Sequence, residues 1–146
     1  MRLYPDFAEF AERYDNGEPQ VVWTRLIADL ETPVSAMLKL AVDEPMSFLL
    51  ESVEGGATRG RYSVIGFAPD VVWRAFGDRA EINRTPAKSP DKFTKCKDGT
   101  LASLRAFLTE SHINLPESLP PMAAGIFGYM GYDTVRLIER LPEPNP

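Results

Sequence analysis

The chain has 146 residues, 44% hydrophobic and 25% charged, the makeup of a soluble globular protein long enough for one domain with its own core. Its formal net charge of −5 argues against a nucleic-acid partner, because phosphate binding needs a clustered basic surface. A single cysteine, Cys96, excludes an internal disulfide and a cysteine-based zinc site, and fits a reducing, cytoplasmic compartment.

In chain order, Asp6 with Glu9 three residues on makes a helix start, and Phe7, Phe10, Ala11 and Tyr14 form one apolar helical face. Asn16-Gly17 stops that helix. Residues 20–30 are rich in β-branched and aromatic side chains and read as a strand. Thr32-Pro33 caps and opens a second helix with the face Val34, Met37, Leu38 and Ala41, ended by Pro45. Ser47–Val53 reads as a short strand, Arg61–Phe67 as another and Val71–Phe76 as a third. Gly77-Asp78 is a tight turn into Arg79–Arg84, so residues 70–84 are expected to form a hairpin.

Residues 85–99 are expected to be an exposed loop, and Lys92, Lys95 and Lys97 within it are read as solvated, diluted by Asp91 and Asp98. Leu101, Leu104, Phe107 and Leu108 mark an amphipathic helix ending near His112. Ala123–Met130 reads as a buried strand, and Asp133–Arg140 as a short helix capped by Asp133. The tail Leu141–Pro146, with prolines at 142, 144 and 146, reads as an extended linker toward a further part of a longer protein. No apolar run reaches the roughly 20 residues that span a bilayer. Met1–Asp6 lacks the apolar stretch of a signal peptide. The strands cluster in a hairpin-rich middle, which predicts an α+β fold with a largely antiparallel sheet and flanking helices.

Candidate chemistry is sparse. His112 is the only histidine, so an imidazole-built metal site is unavailable, and a helix-end role suits it. Gly55-Gly56 and Gly60 match neither a P-loop nor a dinucleotide fingerprint and are read as a turn. Gly125, Gly128 and Gly131 imply close packing or a bend. The end of the first short strand is the richest feature. Phe48, Leu50 and Ser52 fall on one face, and Leu49, Glu51 and Val53 on the other. An apolar wall, an acid to face an ammonium, a hydroxyl, and Arg61 to face a carboxylate suit an amino acid. The alternative is a core strand with a polar exit.

Four segments carry a resemblance. They are Thr32-Pro33-Val34-Ser35-Ala36, Phe48-Leu49-Leu50-Glu51-Ser52-Val53-Glu54-Gly55-Gly56, Gly60-Arg61-Tyr62-Ser63-Val64-Ile65-Gly66, and Ala124-Gly125-Ile126-Phe127-Gly128-Tyr129-Met130-Gly131-Tyr132-Asp133. Together they resemble the N-terminal region of anthranilate synthase component I, a chorismate-utilising lyase of tryptophan biosynthesis. The resemblance implies that residues 1–146 are the N-terminal, regulatory and scaffolding domain, without the chorismate-binding catalytic domain. It implies L-tryptophan, a feedback inhibitor, as ligand of Leu50, Glu51 and Ser52. Arg61 stands where some relatives place a lysine near the site. It further implies that chorismate, Mg²⁺ and the catalytic residues belong to the missing domain, and that a glutamine amidotransferase subunit is the partner. No catalytic or metal-binding residue is expected in this chain. Two alternatives are an aminodeoxychorismate synthase component I, with a structural tryptophan, and a free-standing amino-acid-binding module.

Overall fold

The computed structural model describes residues 1–51 and 62–142. Helix α1, Phe7–Asp15, starts where expected: Asp6 accepts the Glu9 amide at 3.0 Å, and its negative charge suits the helix dipole. Gly17, at φ 71°, provides the left-handed residue that ends it. Only the inner half of the predicted face is covered, by Phe10 and Ala11, while Phe7 and Tyr14 stay exposed.

The strand expected over residues 20–30 does not form. Trp23 exchanges both backbone hydrogen bonds with Tyr4, at 2.8 and 2.9 Å, and the ladder goes no further. Two residues past Tyr4, where the next hydrogen-bonded pair of an antiparallel ladder would fall, Asp6 already caps α1 and its carbonyl accepts the Phe10 amide at 2.9 Å. Strand-favouring side chains lower the cost of extension, but a ladder also needs a partner segment free to pair. Leu26, Ile27 and Leu30 consequently remain exposed.

Helix α2, Pro33–Ala41, carries a reciprocal cap. Thr32 Oγ1 accepts the Ser35 amide at 3.1 Å and Ser35 Oγ accepts the Thr32 amide at 2.9 Å. Ala41 is buried and Met37 half-buried, whereas Val34 and Leu38 are more exposed than their pattern predicts. The helix packs against both β1, Phe48–Glu51, and β2, Ser63–Gly66. These two strands pair antiparallel, Phe48 opposite Gly66 and Glu51 opposite Ser63.

The expected hairpin is present as β3, Val72–Phe76, and β4, Arg79–Asn83, joined at Gly77-Asp78 with Gly77 at φ 60°. Residues 85–99 correct the simple-loop expectation. Thr94–Lys95 forms β5, paired with β4, and the intervening chain is tied down by Asn83. Its Nδ2 donates to the Ser89 and Pro90 carbonyls at 2.8 and 3.0 Å, and its Oδ1 accepts the Thr85 amide at 2.9 Å. Helix α3, Thr100–Glu110, lies on β3 and β4 with Phe107 buried. Trp73 Nε1 donates to Ser103 Oγ at 3.3 Å.

Ala123–Met130 is not a strand in the structure; it runs without a ladder, with Gly125 at φ 150° and Tyr129 exposed. Its glycines leave little side chain to anchor a pairing. A 3₁₀ helix, Tyr132–Leu137, follows with Gly131 at its cap position. Asp133 therefore sits in the first turn rather than at the cap, and its Oδ1 accepts Arg136 Nε at 3.4 Å.

The architecture is α+β, and every described strand pair is antiparallel, divided between a two-stranded and a three-stranded sheet. By contact the chain forms two compact units. One comprises Met1–Pro69 with Ile113–Ala124, and the other Asp70–His112 with Gly125–Pro146.

Candidate functional site

The end of β1 combines an apolar and an acidic side chain at an accessible position. Leu50 is 49% exposed, Glu51 is exposed, and the strand pleat directs them to opposite faces. Their cross-strand partners are Val64 and Ser63. Phe48, on the face of Leu50, lies across onto β2 over Gly66. Ser52 and Arg61 lie outside the described residues, so of the four predicted ligands the structure describes Leu50 and Glu51, on opposite faces of β1.

The exposure of this strand end limits what it can do unaided. A carboxylate facing an ammonium at about 4 Å gains only about 1 kcal/mol in bulk water, and several-fold more where the dielectric is lowered. Leu50 and Glu51 have the chemistry for an α-amino acid with an apolar side chain, yet useful affinity requires a cover over them. Because the pleat points them to opposite faces, one ligand could touch both only from beyond the end of the strand.

Other candidates hold no comparable chemistry. Among the described residues no three His, Cys, Asp or Glu side chains converge to hold a metal ion. Cys96 is half-buried, with its amide donating to the Ala80 carbonyl at 2.9 Å. Lys92, Lys95 and Lys97 are exposed, as expected, although Lys95 belongs to β5. His112 is exposed just beyond α3, its amide reaching the Thr109 carbonyl at 3.4 Å. No described helix is long and apolar enough to cross a membrane.

Gly66 escaped the residue-by-residue reading. Its signal is a glycine placed opposite an aromatic residue, visible only once the strand register is known.

No family model and no solved structure matches the chain. Curated relatives do. The chain is 49% identical over 140 residues to anthranilate synthase component 1 of Cereibacter sphaeroides, covering 96% of this chain and 28% of the relative. It is 41% identical to the protein of the same name from Synechocystis sp., covering 99% of this chain and 28% of the relative. The Thermus thermophilus protein of that name is 39% identical over 120 residues, or 82% of this chain and 24% of the relative. The chain thus spans about a quarter of the length of the relatives it matches. By sequence, it belongs with the N-terminal region of the anthranilate synthase component 1 family.

Proposed function

We propose that residues 1–146 are the N-terminal regulatory and scaffolding domain of an anthranilate synthase component I. The full-length enzyme would convert chorismate and ammonia to anthranilate and pyruvate, with ammonia delivered from glutamine by an amidotransferase subunit. Chorismate, Mg²⁺ and the acid/base residues would belong to the part of the enzyme outside these 146 residues. The observation that carries this reading is identity running through 96% of the chain to a protein of that name. The intact Leu49-Leu50-Glu51-Ser52 run favours anthranilate synthase over aminodeoxychorismate synthase.

L-Tryptophan is the proposed ligand at the end of β1. Leu50 supplies apolar wall, Glu51 faces the ammonium, Ser52 hydrogen-bonds, and Arg61 lies near the carboxylate. The remainder of the enzyme would cover the site, which accounts for the exposure of Leu50 and Glu51. Binding there would bias the arrangement of the domains, with a coupling of about 1–3 kcal/mol typical of such switches.

The test is tryptophan inhibition of the full-length enzyme carrying Ser52→Phe, with anthranilate measured as product. The half-inhibiting concentration is expected to rise at least about tenfold, equivalent to about 1.4 kcal/mol of lost binding. Unchanged inhibition would remove Ser52 from the site. Formation of aminodeoxychorismate instead of anthranilate would reassign the enzyme.

A further inference from the structure

We infer that Gly66 is a positioning residue for the amino-acid site at the end of β1, acting through the ring of Phe48; the inference rests on the tryptophan reading above. Phe48 and Gly66 are directly opposed in the β1–β2 ladder. A Cβ placed on Gly66 would overlap Cε1 and Cζ of Phe48 and sit 3.1 Å from Cδ1. The ring therefore occupies the space that any side chain at 66 would need. The backbone at Gly66 is outside the left-handed region, so its conformation does not itself demand glycine. Space for the ring does.

That space bears on the site because Phe48 and Leu50 share a face of β1. A ring laid sideways onto β2 is not laid along β1, and Leu50 is 49% exposed. A methyl group at 66 displaces the ring from its place over β2. Leu50 is its same-face neighbour toward the site, so the displaced ring takes up room that the planar side chain of the ligand would use. Gly66 thus preserves the apolar wall without touching the ligand.

A double-mutant cycle on full-length enzyme, read by tryptophan calorimetry, tests this. Gly66→Ala is expected to weaken tryptophan binding at least tenfold. In a Phe48→Leu background, where no ring must move, the same Gly66→Ala change is expected to cost less than about twofold. An equal cost in both backgrounds, or none in the native one, overturns the inference while leaving the tryptophan site standing. Absence of tryptophan binding to the unsubstituted enzyme overturns the site reading and the inference with it. Should Gly66→Ala alone fail to fold, Phe48→Leu with and without Gly66→Ala still decides: a further large loss of affinity in the double variant overturns the mechanism.

Discussion

Asn83 is 1% exposed at the end of β4 and uses both ends of its amide to hold residues 85–90, donating to two carbonyls and accepting one amide. Replacing it by alanine leaves these part-buried groups without their partner, and Asn83→Ala is expected to lower stability by about 1 kcal/mol, measured by urea denaturation. Arg84, the next residue, grips Glu110 through its two terminal guanidinium nitrogens. That hydrogen bonding holds the Glu110 carboxyl below its ordinary range and raises Arg84. Because the folded state depresses Glu110, its contribution is present above the unfolded carboxylate pKa, about 4.3, and is lost as pH falls through the folded value. Acid denaturation curves should show this: Glu110→Gln is expected to have a smaller loss of stability below about pH 4 than the native chain. Both side chains are 52% exposed, so the effect is modest and salt-sensitive.

The elements themselves differ in how they are secured. Helices α1 and α2 carry caps from their own sequence, whereas α3 borrows one from the hairpin turn. Gly99, at the cap position of α3, has no side chain, and Asp78 Oδ1 accepts the Thr100 amide at 2.9 Å instead. Thr100 Oγ1 completes the link by donating to the Gly77 carbonyl at 2.7 Å. A Cβ at 99 would lie 2.5 Å from Asp78 Oδ1, so glycine is what lets the turn approach. Asp78→Ala should therefore cost about 1 kcal/mol, and thermal melting followed by Trp73 fluorescence would register it. An unchanged midpoint would mean that water caps α3 equally well. The Asp6 and Thr32 caps were legible as local motifs, because donor and acceptor lie three residues apart. The Asp78 cap was not, since its partners lie 22 residues apart and meet only after the hairpin closes.

At the scale of the molecule, the buried hydrophobic side chains among the described residues are Ala41, Ala80 and Phe107. Val34, Leu38 and Leu50, which a core-facing reading would cover, are about half exposed. If the rest of a family-length enzyme completes the tryptophan site, calorimetry should show the 146-residue chain binding tryptophan at least tenfold more weakly than full-length protein; comparable affinity would mean that the chain holds a whole site. The sequence by itself determined the three α-helices, the β3–β4 hairpin, the antiparallel character and the family, because these depend on local spacing, turn chemistry and motif order. It also proposed Leu50 and Glu51 as ligands on their chemistry, whereas their exposure came from the structure. Only the tertiary structure decided which strand-like segments pair. Residues 20–30 and 123–130 have the side chains of strands, but a strand is defined by a partner, and the one bridge that Trp23 makes, to Tyr4, ends where Asp6 turns the chain into α1. Register likewise came from the fold, and with it the Phe48–Gly66 opposition, since sequence alternation assigns faces but cannot say which residue stands across the sheet.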